Sequence, residues 1–144
     1  MTKTLLLVED NPQDEALTLR ALRKINLANQ IDVVRDGQQA LDYLFREKEF
    51  ANREGPDFPT AVLLDIGLPR INGLDVLARL RADPRTRLLP VIILTSSDEE
   101  RDRFASYDNG ANSFVRKPLD FGEFAEVVAR LGIYWLATNE PPNL

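Results

Sequence analysis

The sequence of 144 residues contains no cysteine and no histidine, and these two absences limit its chemistry. Without cysteine there can be no disulfide and no thiolate metal site, and we expect a cytoplasmic protein. Without histidine there is no imidazole for a catalytic triad, a zinc site or a phosphohistidine. Any chemistry must therefore use carboxylates, hydroxyls and amines, with or without a hard metal ion.

Long apolar runs and an excess of basic residues are also missing. No run approaches the ~20 apolar residues of a membrane-spanning helix, and the N-terminus leads straight into a strand-like segment, so we predict no membrane partner and no signal peptide. The net charge of −5 argues against a nucleic-acid partner, because phosphate backbones attract basic surfaces. The length suits a single domain over residues 1–144, with a core over about 4–136, a short tail over 137–144 and no output domain.

Five apolar, strand-like runs alternate with helical segments along the chain. The strands are predicted over residues 5–8, 31–35, 60–65, 90–95 and 112–116. The helices are predicted over about 12–27, 37–45, 73–81, 98–108 and 121–136. Continuous apolar strands that alternate with helices are typical of a parallel sheet covered on both faces. The sequence therefore predicts an α/β fold with one parallel five-stranded sheet and helices on both faces.

Polar side chains stand where the predicted strands end. They are Glu9 and Asp10 after the first strand, Asp65 at the end of the third, Thr95 at the end of the fourth and Lys117 after the fifth. The carboxyl ends of parallel strands meet at one edge of the sheet, where open α/β proteins bind their ligands. Three carboxylates at one place repel each other unless they share a cation, and Mg²⁺ suits oxygen ligands.

The carboxylates are assigned to phosphoryl transfer and to metal binding. Asp65 is the predicted phosphoacceptor, a nucleophile that forms an acyl phosphate. Asp10 and Asp65 are predicted to ligate the metal directly, and the backbone carbonyl of Gly67 to reach the same ion. Glu9, whose side chain is one carbon longer, is predicted to help indirectly, through water or at a distance.

The ammonium and the hydroxyl are assigned to the phosphoryl oxygens. Lys117 and Thr95 are predicted to stabilise the charge that develops there during in-line transfer. Pro118 follows the lysine, and we predict a cis peptide bond that turns the chain and aims the lysine inward. Taken singly, Asp65 is explained as a helix cap or turn residue and Thr95 as a β-branched strand end. The combination of these two residues with Asp10 and Lys117 favours a role in phosphoryl transfer.

At these residues the sequence resembles the CheY-like receiver domain of two-component response regulators. The matching motifs are VEDN, LLDIGLPRINGLDVL, VIILTSS and SFVRKP, which together reach from the first strand to about residue 136. The resemblance implies a flavodoxin-like, doubly wound fold with strand order 2-1-3-4-5. It also implies a sensor histidine kinase or phosphotransfer protein as phosphoryl donor and Mg²⁺ or Mn²⁺ as cofactor. In the family's switch, Thr95 moves toward the phosphoryl group and the aromatic Phe114 follows by packing.

The last helix carries more apolar surface than one face can bury. Phe121, Phe124, Ala125, Val128 and Leu131 form the stripe predicted to face the sheet. The interface candidates outside this stripe are Val127, Tyr134, Trp135 and Leu136. An exposed apolar patch is typical of a partner surface, so we predict a homodimer, although a tail folded back over the patch would explain it as well. The long loop before Asp65 and the Tyr-Trp-Leu segment resemble stand-alone receivers paired with bacterial phytochrome kinases.

The leading hypothesis is a single-domain response regulator phosphorylated on Asp65, and not a small-molecule enzyme. The alternatives are a degenerate receiver that works unphosphorylated and a phosphate sink. An aspartate-nucleophile phosphatase would carry a second aspartate two residues after the nucleophile, where this chain has Gly67. A flavin-binding protein of this fold would carry a phosphate loop after Val8, and the sequence has none there.

Overall fold

The computed structural model describes residues 3–144 of the chain. Its five strands are β1 (Thr4–Val8), β2 (Gln30–Val34), β3 (Ala61–Leu64), β4 (Val91–Thr95) and β5 (Ser113–Arg116). Neighbouring strands pair in parallel, and the order across the sheet is β2-β1-β3-β4-β5. The predicted flavodoxin-like fold and strand order are confirmed.

One α-helix follows each strand. The helices are α1 (Pro12–Ile25), α2 (Gly37–Leu44), α3 (Gly73–Ala82), α4 (Glu100–Asp108) and α5 (Phe121–Ile133). A 3-10 turn covers Lys48–Phe50, and a π-helical turn over Tyr134–Thr138 continues α5. Within residues 3–144, none of these helices is long and apolar enough to cross a bilayer.

The sheet separates two cores, because the side chains of an inner strand such as β1 alternate between its two faces. Leu5 and Leu7 pack with Leu22 on the face covered by α1 and α5. Leu6 and Val8 pack into the core on the face covered by α2 and α3. With both faces covered, the ends of the strands are the part of the sheet that remains open to ligands.

Four helices begin at a side chain that accepts a hydrogen bond from the first helical turn. The capping residues are Asn11 for α1, Asp36 for α2, Asn72 for α3 and Asp120 for α5. α4 follows Glu99, whose side chain makes no such bond, and it buries only Ser106. Because caps satisfy backbone N–H groups that have no partner inside the helix, α4 begins with less support than the others.

Two predictions about the last helix are wrong. Phe121, predicted to face the sheet, is 58% exposed because it is the first residue of α5. Leu136, predicted as an interface residue, is only 3% exposed and belongs to the core beside Leu22. The π turn over Tyr134–Thr138 explains the second error. A π turn contains one residue more than an α turn, so the side chains that follow no longer keep the helical spacing read from the sequence.

Candidate functional site

An open cleft of about 650 Å³ lies at the carboxyl edge of the sheet. Five of the predicted site residues line this cleft, namely Asp10, Asp65, Gly67, Thr95 and Lys117. They arrive from the ends of β1, β3, β4 and β5, which the parallel topology brings to the same edge. Glu9 directly follows β1, is 2% exposed and does not line the cleft, but its carboxylate lies close to those of Asp10 and Asp65. The structure therefore brings all six residues together.

Lys117 lies at the centre of this group. Its Nζ donates hydrogen bonds to Glu9 Oε1 at 2.6 Å, Asp65 Oδ2 at 2.8 Å and Asp14 Oδ2 at 2.9 Å. An ammonium has three N–H donors, so these contacts use all of them. Burial disfavours the charge, but the surrounding carboxylates, Asp65 foremost, outweigh burial and raise the pKa of Lys117. The surrounding carboxylates therefore favour the charged form of this buried lysine.

Asp65 directly follows β3 and is held by its backbone as well as by its side chain. Its N–H donates to the Val8 carbonyl at 3.2 Å, and its Oδ1 accepts from the Ile66 N–H at 2.7 Å. The start of α3 lies against it, since a Cβ on Gly73 would stand 2.0 Å from the Asp65 carbonyl oxygen. Gly73 thus permits a backbone approach that any side chain would prevent. The side chain of Asp65 remains 11% exposed, toward the cleft.

The carboxylates fit a hard divalent cation. Glu9, Asp10 and Asp65 each offer an oxygen, and these oxygens lie within 4.8 Å of one another. Oxygen donors of this kind suit Mg²⁺ and Mn²⁺. Asp10 is exposed, which leaves it free to take up an ion from solvent.

Both oxygens of the Glu9 carboxylate have protein donors, as do both oxygens of Asp65. Oε1 is bound by Lys117, and Oε2 accepts from the Asn11 N–H at 3.2 Å. Burial raises the pKa of Glu9 to about 7, with the charge of Asp65 adding to the rise and the Lys117 hydrogen bond opposing it. These contacts are compatible with the indirect role predicted for Glu9.

The two residues predicted to act as a switch lie on adjacent strands. The Thr95 hydroxyl is buried and accepts a hydrogen bond from the Ser97 N–H at 3.3 Å. Phe114 is partly buried against the core on the α2–α3 face. Its backbone N–H donates to the Tyr107 hydroxyl of α4 at 3.3 Å. The Thr95 hydroxyl and the Phe114 backbone are therefore each connected to α4 or to the loop before it.

The prediction of a cis peptide bond at Pro118 is wrong, since residues 3–144 contain no cis bond. Lys117 reaches the cleft for another reason. Its N–H donates to the Thr95 carbonyl at 2.7 Å, which continues the β4–β5 pairing past the last strand residue, Arg116. Side chains alternate along a strand, so Arg116 is exposed and the next side chain turns inward, toward the carboxylates.

Asp14 is the site residue that the sequence analysis missed. It lies in the first turn of α1, where its N–H donates to the Asn11 side chain at 3.0 Å. Acidic residues are common at this position because they interact favourably with the helix dipole, so the residue type alone gave no sign of a special role. Its contact with Lys117 joins residues 103 positions apart, and only the folded chain brings them together.

The fold and the site together define a class of proteins. Its members are doubly wound α/β proteins that place acidic oxygens and a buried lysine at the carboxyl edge of the sheet. Within that class, the chain belongs to the response regulator receiver domain family, whose model matches residues 5–129. Receiver domains are signalling modules rather than small-molecule enzymes.

Two curated relatives match over almost the whole chain. The probable methanogenesis regulatory protein FilR2 of Methanothrix harundinacea is 37% identical over 139 residues, 96% of this chain and 87% of that protein. The response regulator Rcp1 of Synechocystis is 32% identical over 140 residues, 97% of this chain and 93% of that protein.

Solved structures match as closely. The phosphorylated cyanobacterial phytochrome response regulator RcpA is 35% identical with a TM-score of 0.92, covering 99% of this chain and 100% of its own. The Mn²⁺-bound form of Rcp1 is 32% identical with a TM-score of 0.91, over 98% and 99% of the two chains. The bacteriophytochrome response regulator RtBRR is 50% identical with a TM-score of 0.78, over 99% and 85%.

Proposed function

We propose that this chain is a response regulator that accepts a phosphoryl group on Asp65 from a sensor histidine kinase. One observation carries the proposal, namely the buried ammonium of Lys117 that lies 2.8 Å from Asp65 Oδ2 at the edge of an open cleft. A fixed positive charge beside a strand-end carboxylate stabilises the negative charge of a phosphoryl group in transfer. That RcpA has been solved in phosphorylated form supports the proposal.

The proposed reaction is an in-line displacement at phosphorus. A carboxylate oxygen of Asp65 forms the new O–P bond while the N–P bond of a phosphohistidine breaks. The imidazole nitrogen keeps the electron pair of that bond and takes a proton from water. Because this sequence has no histidine, the donor residue must lie outside it. Lys117 holds a phosphoryl oxygen, and the Thr95 hydroxyl gives up its Ser97 contact to hold another.

A divalent cation is proposed to assist this transfer. Asp10 and Asp65 would hold Mg²⁺ or Mn²⁺ directly, the Gly67 carbonyl would complete the protein ligands, and Glu9 would act indirectly. When bound, such an ion neutralises charge on the phosphoryl oxygens. The manganese-bound structure of Rcp1 supports this assignment.

The phosphoacceptor is tested by replacing its carboxylate. Asp65→Asn should abolish labelling by a phosphohistidine donor while the fold survives, because the amide is a poor nucleophile of nearly the same shape. Asp75→Asn is the matched control, since Asp75 is an exposed aspartate on α3 outside the cleft. Label that persists in Asp65→Asn would overturn the proposal.

We further propose that the donor kinase is of the phytochrome type. The names of RcpA and RtBRR support this, whereas the name of FilR2 points to another signal. Phosphotransfer profiling decides between them. Each kinase of the host is autophosphorylated and offered to this protein, and a phytochrome kinase should transfer fastest. A kinase with a different sensor at the head of the ranking would contradict the pairing.

We also propose that phosphorylation changes the surface around Phe114 and that this surface transmits the signal to a partner.

We propose in addition that the chain forms a homodimer through the end of α5. With Leu136 buried, the exposed apolar groups there are Ile133 and Tyr134, at 46% and 49% exposure. Val127 and Trp135 are partly buried and can add only part of their surface. Light scattering should give a dimer for the wild type and a monomer for Tyr134→Glu. A monomeric wild type would exclude the dimer.

A further inference from the structure

Lys117 is bound by a carboxylate that has no part in the proposed metal site. Asp14 Oδ2 lies 2.9 Å from Lys117 Nζ, as close as the phosphoacceptor itself. Among the described residues, the carboxylates placed to share one ion are Glu9, Asp10 and Asp65, and Asp14 is outside that set. Asp14 nevertheless lines the same cleft. Its contact with the lysine therefore needs an explanation other than metal binding.

We propose that Asp14 competes with the phosphoryl group for Lys117 and thereby limits how readily Asp65 is phosphorylated. The inference rests on the proposed function and deepens it. It concerns the affinity of the unphosphorylated site for the group that it must receive.

The count of donors on the lysine supports the competition. The three N–H bonds of Lys117 are all directed at carboxylates. A phosphoryl oxygen can be bound by Lys117 only when one of these contacts is released. In the unphosphorylated site, all the donors that Lys117 could offer to a phosphoryl group are thus already occupied.

The contact with Asp14 is the easiest of the three to release. Glu9 and Asp65 are each held by a second donor, the N–H of Asn11 and of Ile66. Within residues 3–144, the Asp14 carboxylate has no donor besides Lys117, and its side chain is 25% exposed. Water can therefore replace the lysine at Asp14 at little cost, whereas Glu9 Oε1 and Asp65 Oδ2 belong to buried residues and would each lose their donor.

Charge acts in the same direction. Phosphoryl donors are anions, and a carboxylate that lines the cleft repels them over the last few ångströms. Removing that charge should help the donor to approach as well as free the lysine. The two remaining carboxylates keep Lys117 in place, so its orientation does not depend on Asp14.

The test uses the whole chain and Asp14→Asn, which keeps the shape of the side chain and removes its charge. The measurement is the initial rate of Asp65 labelling by acetyl phosphate at saturating Mg²⁺. We expect a rate roughly two- to tenfold above wild type, the range that one net hydrogen bond represents. A variant that folds poorly would be labelled more slowly, so acceleration cannot arise from damage to the fold.

Glu15→Gln is the matched control. It removes the same charge from the next residue of α1, whose carboxylate pairs with the exposed Arg35 and not with Lys117. Its labelling rate should stay within about twofold of wild type, because an exposed ion pair contributes little. Equal acceleration in both variants would show a general charge effect and overturn the inference.

A second measurement uses beryllofluoride with Mg²⁺, which mimics the bound phosphoryl group without any transfer. Asp14→Asn should bind it more tightly by a factor similar to the change in labelling rate. Slower or unchanged labelling, or weaker binding of the mimic, would overturn the inference alone. A wild type that is not labelled on Asp65 at all would overturn the proposed function, and this inference with it.

Discussion

The helices α1 and α4 border the same cleft but are held in different ways. α1 has 14 residues, starts at the Asn11 cap with proline in its first turn, and buries Thr18, Ala21 and Leu22. α4 has 9 residues, lacks a side-chain cap and buries only Ser106. The difference indicates that one border of the site is fixed and the other is free to move.

The contacts that hold α4 lead back to the site. Ser97 donates from its hydroxyl to Asp102 in α4 at 2.6 Å, and from its N–H to the Thr95 hydroxyl at 3.3 Å. If Thr95 turns toward a phosphoryl group, the second of these bonds breaks. α4 exposes Phe104 at 70% and Tyr107 at 53%. A change at Thr95 can therefore reach an apolar surface through a weakly held helix.

The largest expected effect is on the packing of α1. Leu22→Ala should lower the free energy of unfolding by about 2–5 kcal/mol, because Leu22 is 1% exposed and its removal leaves a cavity. Phe104→Ala in α4 should change it by about 0.5 kcal/mol or less. Urea denaturation of both variants measures the contrast. Comparable losses would show that α4 is held as firmly as α1.

A bound metal ion should sharpen the contrast further. At roughly ten times its dissociation constant, Mg²⁺ should stabilise the fold by about 1.4 kcal/mol. Hydrogen exchange should slow in the loop before α1, which carries Asp10, and stay unchanged in α4. Asp10→Asn should remove the stabilisation, and because Asp10 is exposed the variant should fold normally. A thermal shift that persists in this variant would place the ion elsewhere.

Removing the cap of α1 or adding a cap to α4 should reduce the difference in stability between the two helices. Asn11→Ala should cost about 1 kcal/mol, because its side chain accepts a bond from the Asp14 N–H. Glu99→Asp should instead stabilise the protein by up to about 1 kcal/mol, because Glu99 has extended backbone angles suited to a cap and makes no capping bond. Chemical denaturation measures both, and no gain from Glu99→Asp would mean that α4 is limited by its packing.

At Ser97 we expect an effect that is mainly local to α4. Ser97→Ala removes the hydroxyl bond to Asp102, which is partly exposed, so global stability should fall by only about 0.5–1.5 kcal/mol. Hydrogen exchange in α4 should nevertheless become faster than in the wild type, while exchange in α1 stays unchanged, since α4 loses one of its few contacts. Ser96→Ala is the control, because Ser96 is exposed on the same loop. Equal exchange rates in α4 of the two variants would show that the Ser97 contact does not connect Thr95 to α4.

The sequence predicted best where the signal is local. Apolar runs fixed the five strands to within about one residue, and the polar residues that end them marked the cleft. It failed where backbone geometry or distant partners decide. The turn that buries Leu136 departs from helical spacing, and the inward aim of Lys117 comes from strand pairing rather than from a cis bond at Pro118.

By itself, then, the sequence determined a parallel sheet with Asp10, Asp65, Thr95 and Lys117 at one edge, because strand periodicity and strand ends are written in consecutive residues. Only the tertiary structure decided how the charges are shared. It brought Asp14 into contact with Lys117, which lies 103 positions away in the sequence. It also left α4 without a side-chain cap and with Ser106 as its buried residue. Side-chain contacts of this kind depend on how helices pack onto the sheet, which no local pattern specifies.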